Sequence, residues 1–273
     1  MRSYQSFVNQ VKEWQGKNYP NLYFSMFNKS VAVRFLDFIF EKETVGARTY
    51  NNMIKIGRAV WNWAKEKCYT KENPFETIKL KPKQQKKRII IPKETRDKIT
   101  EYLNNQGNIG FNIVCRLVYT SLIRPKEILE LRIKDVNLQE KHICVPSEVA
   151  KNHKQRYSAL NQEIITLFET MNLEKYPKNY FLFGALLTPS ENPAGNARLT
   201  KEWDKLRKTL KLPNEMQLYS FRDTGIYEML KSGIDNLTVM QHADHSSLDI
   251  TTIYANHADN QLISKIYEKA PKF

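Results

Sequence analysis

The chain has 273 residues and a formal charge of +14, with 43 Lys and Arg against 29 Asp and Glu and an isoelectric point near 9.5. At 41% hydrophobic and 26% charged residues, with nine glycines, it has the composition of a folded protein with an electrostatic bias toward polyanions, not of a disordered chain. No apolar run is long enough to span a membrane, no secretory h-region follows Met1, and Cys68, Cys115 and Cys144 are widely spread without a CxxC; the expectation is an intracellular, cytoplasmic protein without membrane association, disulfide framework or cysteine zinc site.

The first third reads as helices. Ser30 can cap Val31 to Phe40, where Val31, Phe35, Phe38 and Ile39 recur at helical spacing. Thr49 can cap a longer helix whose stripe is Tyr50, Met53, Gly57, Val60/Trp61, Ala64 and Cys68, with Gly57 admitting a second helix at close range. The aromatics read as core. The opposite face, with Arg48, Lys55, Arg58, Lys65 and Lys67, is available to nucleic acid. Asn73-Pro74-Phe75 ends this unit.

Charge then concentrates. Residues 1–80 carry +6, residues 81–90 carry +5, and the remainder only +3. Lys81, Lys83, Lys86, Lys87 and Arg88 stand in eight residues without an acid or an apolar side chain. Such a run cannot bury itself, so it reads as an extended linker, and its single sign suits contact with a phosphate backbone.

Beyond it, Pro92-Lys93-Glu94-Thr95 opens a helix, Ile109 to Leu122 forms a mostly apolar second one, and Pro125 starts a short third, Lys126 to Leu131. Strand-like pieces follow at Ile133–Val136, His142–Val145 and Tyr157–Leu160, with turns at Asn137, Pro146-Ser147 and Asn152-His153. From Asn161 the pattern is helical to the end, broken at Leu187–Asn196 and Leu212–Asn214. The fold class is mainly α: a helical N-terminal domain over 1–78, a basic linker over 79–92, and an α+β domain over 93–273 in which helices surround a small antiparallel sheet.

Five segments of the second domain hold cations and a phenol: Thr120-Ser121-Leu122-Ile123-Arg124-Pro125-Lys126-Glu127, Ala150-Lys151-Asn152-His153-Lys154, Tyr219-Ser220-Phe221-Arg222-Asp223-Thr224, His242-Ala243-Asp244-His245-Ser246-Ser247 and Thr251-Thr252-Ile253-Tyr254. In these the sequence resembles the tyrosine recombinases, the phage integrase family. Arg124 with an acid three residues on at Glu127, Lys151 in a hairpin, Arg222, His245, and Tyr254 nine residues later match that family's motifs. The resemblance covers nearly the whole chain, with the helical first half similar to a core-binding domain. No arm-type domain precedes it, which suggests a minimal or N-terminally short member.

The resemblance implies a division of labour that suits the chemistry. Attack on a phosphodiester builds negative charge, which two guanidiniums, Arg124 and Arg222, can neutralise with paired N–H donors. Glu127 buttresses a guanidinium. Tyr254 is the nucleophile that becomes joined to the 3′ phosphate, and a phenol, with a pKa near ~10, needs cations and a proton acceptor to attack. Lys151, with Lys154 as competitor, protonates the departing 5′ oxygen. His245 binds the phosphate or orients the tyrosine. Two departures bear on rate. Tyr219 stands where a His is usual and is expected to take a direct part in the site, and Asp244 stands where a Gly is usual, adding an acid near the phosphate. Asp223 also replaces a His, at a position that is generally structural.

His242, Asp244, His245 and His257 could ligate zinc, yet the reading takes no metal, no ATP and no other cofactor, since a GxxxxGK loop is also missing. The implied activity is site-specific DNA recombination on double-stranded DNA by a homo-tetramer, the free protein being a monomer. The tail from Asn260 to Phe273, with Leu262, Ile263, Ile266 and Tyr267, docks on a neighbouring protomer or on its own domain. A catalytically impaired DNA-binding regulator and a type IB topoisomerase-like enzyme are the alternatives.

Overall fold

The computed structural model describes residues 2–19, 21–41, 45–82, 89–248, 251 and 254, and the chain divides between Lys87 and Arg88 into two units. Lys83, Lys86, Lys87, Arg88, His257 and the segment 260–273 lie outside the described residues.

In the first unit, α1 (Arg2–Asn18), α2 (Lys29–Glu41) and α3 (Ala47–Glu66) pack on one another. Their apolar residues keep the helical period: α2 buries Ala32, Phe35, Leu36 and Ile39, and α1 contributes Phe7 and Trp14. Rings interlock in the core, Phe7 edge-on to Phe35 at 5.6 Å and Trp61 against Phe75 at 5.1 Å, and each such buried side chain stabilises by roughly 1.5–3 kcal/mol.

Both expected caps differ. The Asn28 side chain accepts the Val31 N–H at 3.1 Å, so Ser30 lies inside the first turn of α2. α3 begins two residues before Thr49 with Gly46 at its N-cap and no side-chain cap. Gly57 packs against a ring, where a second helix was expected. A Cβ there would stand 2.7 Å from the Phe75 ring, so the glycine seats an aromatic from the segment that follows α3.

That segment is strapped down rather than ended at Asn73–Phe75. Arg58 donates through Nε to the Phe75 carbonyl at 3.1 Å and through Nη2 to the Ile78 carbonyl at 2.7 Å. Asn51 exchanges two hydrogen bonds with the main chain of Lys81, each 2.8 Å, and the Lys81 ammonium stands 3.3 Å from the centre of the Phe40 ring. The stretch expected to be free linker from residue 79 is therefore still fixed to the first unit at Lys81.

The second unit contains α4 (Lys93–Gln106), α5 (Ile109–Tyr119), α6 (Pro125–Glu130), β1 (Val136–Asn137), β2 (His142–Val145), β3 (Arg156–Ala159), α7 (Gln162–Thr170), α8 (Ala197–Thr209), α9 (Ser220–Lys231) and α10 (Asn236–His242). The strands form an antiparallel sheet in the order β1-β2-β3, with Ile143 opposite Ser158. Ile133–Asp135 is a 3-10 turn instead of a strand, because the Asp135 carboxylate accepts the Arg132 N–H at 2.8 Å and closes the backbone locally. Ile91, wholly buried, is tied to this unit by its N–H on the Thr224 hydroxyl at 2.9 Å.

α5 is the central helix, buried along most of its length, and α9 lies directly on it. The contact is made at Gly225, where a Cβ would fall 1.8 Å from the Tyr119 carbonyl oxygen. Only glycine allows α9 so close, and Arg222 sits one turn earlier on the same helix. Among the described residues no helix is long and apolar enough to cross a membrane.

Candidate active site

α5 stops at Tyr119, short of the expected Leu122, because the chain reverses there. Leu122 adopts φ +51°, the left-handed region, and the Ile123 N–H reaches back to the Leu117 carbonyl at 3.2 Å. For a residue with a Cβ this conformation costs about 1–2 kcal/mol. The reversal delivers Arg124 to the N-cap of α6, with Pro125 in the first helical position, where its missing N–H costs no helical bond.

Glu127, one turn into α6, is the hub. Its carboxylate accepts the Arg124 N–H at 3.1 Å, Arg124 Nη1 at 3.0 Å, the Lys151 N–H at 3.0 Å and Arg156 Nη2 at 2.5 Å. Burial opposes its ionisation, but the hydrogen bonds from Arg156 and from the Lys151 and Arg124 amides outweigh it and hold the carboxyl at about 2. It is a fixed anion held between the Arg124 and Arg156 guanidiniums.

Arg156 is the residue that sequence reasoning missed. It opens β3 on the same face as the fully buried Ser158, and its Nη1 also stands 3.6 Å from Asp244. A cation on the inward face of a strand is the signal that alternation could have given.

Asp244 closes the other side of Arg124. Its Oδ2 lies 2.7 Å from Arg124 Nη1, its carbonyl takes Nη2 at 2.9 Å, and its Oδ1 accepts Asn152 Nδ2 at 3.1 Å. The residue holds φ +52°, a conformation that favours the glycine usual at this position.

Arg222 is wholly buried in the first turn of α9. It donates through Nη2 to the Ala243 carbonyl, while Nε and Nη1 meet no hydrogen-bond partner among the described residues. Burial lowers its pKa, and the cations of Arg124 and Arg156 add to the same effect against Tyr219 and Glu127. Unmet donors on a buried guanidinium are costly, so this group is suited to an incoming anion.

Lys151 and Lys154 are exposed on the β2–β3 connection, and Lys151 lines a cleft of about 520 Å³ with Arg124, Lys126, Glu130 and Tyr219. Tyr219, at the N-cap of α9, is 39% exposed, and the centre of its ring is 6.0 Å from the Arg222 guanidinium carbon.

Tyr254 is buried against Leu122, Ile226, Leu230, Val239 and Ala243, and its hydroxyl donates to Asp223 Oδ1 at 2.5 Å. Position 223 is thus not merely structural: it holds the phenol. His245 Nδ1 pairs with the Thr251 hydroxyl at 3.0 Å. His242 Nε2 lies 2.9 Å from the Thr120 carbonyl, so that nitrogen carries its proton and donates, and burial first, then the Arg222 and Arg156 cations, lower its pKa. Among the described residues no three His, Cys, Asp or Glu side chains gather as a metal site.

Bonds therefore join Arg124, Glu127, Arg156, Asp244 and the Lys151 main chain, Arg222 is coupled to them electrostatically, and Tyr254 is joined to the residue next to Arg222. Of the expected nucleic-acid contacts, Arg48 and Lys55 are exposed on α3. Arg58 and Lys81 have polar groups turned onto their own unit.

Residues 90–261 match the family model described as "Phage integrase family", and residues 1–85 match "Phage integrase SAM-like domain". A probable integrase/recombinase of Acholeplasma phage L2 is 26% identical over 62% of this chain, which spans 57% of that relative's length. Tyrosine recombinase XerD of Rickettsia prowazekii is 25% identical over 79% of this chain and 74% of its own. Two solved structures share the fold. The Tn1549 transposon integrase in complex with transposon right end DNA has TM-score 0.74 at 15% identity, covering 97% of this chain and 92% of that one. The XerH recombinase bound to palindromic difH substrate has TM-score 0.72 at 17% identity, covering 98% and 80%.

Proposed function

The chain belongs to the phage integrase family, and we propose that it is a site-specific DNA recombinase that cuts and rejoins duplex DNA through a 3′-phosphotyrosine on Tyr254. The observation that carries this reading is the convergence of Arg124 and Arg222 from separate segments, with the Tyr254 hydroxyl bonded to the residue that follows Arg222. Arg124 and Arg222 clamp the scissile phosphate and neutralise the charge that develops on it. Glu127 and Arg156 hold the first clamp in place. Tyr254 attacks phosphorus, Lys151 from the exposed hairpin connection gives a proton to the departing 5′ oxygen, and His245 contacts the phosphate.

The phosphotyrosine keeps the energy of the broken bond, so rejoining needs no ATP, and guanidiniums supply the charge that a metal would otherwise bring. Arg48, Lys55, Lys154 and the linker cations Lys83, Lys86, Lys87 and Arg88 contact the DNA backbone, and strand exchange takes place in a homo-tetramer on two duplexes. The test is a nicked substrate whose short downstream piece, bearing the freed 5′-hydroxyl, diffuses away on cleavage and so traps the adduct. Wild-type protein gives a covalent protein–DNA band that EDTA leaves unchanged, and Tyr254→Phe gives none while still binding DNA within a few-fold. An adduct from the Phe variant rejects the mechanism.

One observation favours a second reading. Arg124 is already paired with Asp244, as suits a DNA-binding regulator on this fold. The same trap separates the two, because a regulator yields no band.

A further inference from the structure

We infer that Asp223 is the proton acceptor for the nucleophile: its carboxylate holds the Tyr254 hydroxyl before cleavage and takes the phenolic proton as the tyrosine oxygen bonds to phosphorus. The inference rests on the phosphotyrosine reading above and deepens it.

The geometry comes first. Tyr254 and Asp223 are 2% and 6% exposed, and the donor–acceptor distance of 2.5 Å is short for a phenol on a carboxylate. A general base must stand within hydrogen-bond reach of the proton that it removes, and Asp223 already does. Its place on α9 is fixed on both sides, since Arg222 precedes it with a bond to the Ala243 carbonyl and Thr224 follows it with a hydroxyl tied to the Ser220 carbonyl at 2.6 Å.

Among the described residues the other acceptors have engagements of their own. Tyr219 stands where an imidazole is usual, but it is itself a phenol and no stronger a base than the group it would deprotonate. Glu127 is held at about 2 by its surrounding donors. Asp244 turns both carboxylate oxygens to Arg124 and Asn152. His245 directs Nδ1 to Thr251.

In the resting protein the Tyr254 hydroxyl is the donor and the Asp223 carboxylate the acceptor. The hydroxyl becomes acidic only as the oxygen commits to phosphorus. In cleavage the Tyr254 Oη–P bond forms as the P–O5′ bond breaks. The phenolic proton passes to Asp223, and O5′ takes a proton from Lys151. Rejoining reverses each transfer, and the phosphodiester remains a monoanion throughout.

Single-turnover adduct formation on the nicked substrate tests this. Asp223→Asn keeps the shape of the side chain and should slow the step by about 10²–10⁴, the usual share of one general base, with DNA affinity unchanged. Its residual rate should climb with pH between 7 and 9 as the phenol ionises unaided, and Asp223→Glu should recover part of the loss. An Asn variant that forms adduct at the wild-type rate, or faster, overturns the proposal. Should that variant fail to fold, the wild-type protein decides. On a substrate with sulfur in place of the departing 5′ oxygen, no proton is needed from Lys151, and a normal solvent deuterium isotope effect must remain from Tyr254; an effect of unity overturns the proposal. A wild-type protein that forms no adduct at all, or an adduct that survives Tyr254→Phe, refutes the phosphotyrosine reading instead.

Discussion

The Asp244 carboxylate and the Arg124 guanidinium meet at 2.7 Å, and the main-chain carbonyl of the same aspartate takes the second terminal nitrogen at 2.9 Å. An acceptor thus occupies donors that the proposed reaction needs for phosphate. Entry of DNA must exchange one anion for another, and the cost of that exchange falls on binding.

Asp244→Gly should therefore tighten DNA binding by about fivefold to tenfold, the difference of roughly 1 kcal/mol between a charged and a neutral competitor. The glycine also suits φ +52°, whereas Asp244→Ala loses the same charge but keeps a Cβ in a conformation costing about 1–2 kcal/mol. Thermal melts of the two variants beside filter-binding curves separate charge from backbone strain. Equal or weaker binding by the Gly variant means that the aspartate supports Arg124 rather than competing for it.

Glu127 should govern the acid limb of stability. Its folded pKa is about 2, below the ordinary 4.5. A depressed carboxyl stabilises the fold fully above its unfolded pKa, and that stabilisation is lost as pH falls toward the folded one. The window is therefore pH 4.5 down to 2, over which on the order of 3 kcal/mol disappears. Glu127→Gln should lower the urea midpoint at pH 7 and flatten the fall within that window. A variant that loses stability in parallel with wild type would place the acid sensitivity elsewhere.

Arg124, Glu127, Arg222 and Tyr254, which the structure ties into bonded or coupled groups, stood out in the sequence by side-chain type and order alone. What was not legible depended on partners distant in sequence. Arg156 looks like a surface cation until β3 turns its face inward, and Asp223 looks structural until Tyr254 arrives from 31 residues away. In the first unit the helices followed from the apolar period, but Ser30 and Thr49 were wrong as caps because any small polar residue near a helix start satisfies the pattern. Only the backbone decides which oxygen faces the open amides, and here Asn28 and Gly46 were nearer the turn. The strand expected at Ile133 failed for a similar local reason, the carboxylate of Asp135 bending the chain onto itself.

The linker cations should separate into two kinds. Lys81 lies over the Phe40 and Tyr50 rings with its main chain held by Asn51. Lys81→Gln should then lower the melting temperature and leave the salt dependence of DNA binding alone. Replacing Lys83, Lys86, Lys87 and Arg88 together with Gln should do the reverse, reducing the slope of log affinity against log salt by roughly 0.9 for each phosphate no longer neutralised. A slope that responds to Lys81 alone would contradict this division.

Tyr219 provides the sharpest check on where the proton goes. Its exposed ring lines the cleft with Arg124 and Lys151, so its hydroxyl can donate to a phosphate oxygen entering there. Phenols accept protons poorly at neutral pH, and if Asp223 does that work the hydroxyl of Tyr219 contributes one neutral hydrogen bond. Tyr219→Phe should then slow adduct formation by about tenfold or less, the value of roughly 1 kcal/mol, without altering the shape of the pH profile. Tyr219→His introduces an imidazole that is half charged near pH ~6.5. Below that pH it adds a cation beside the phosphate and should strengthen DNA binding, yet with the nucleophile's proton already committed to Asp223 it should not quicken cleavage. Single-turnover rates of both variants from pH 6 to 9 decide the matter. A His variant that cleaves many-fold faster than wild type near neutrality would mean that the protein lacks an acceptor which imidazole restores, and it would return that role from position 223 to position 219.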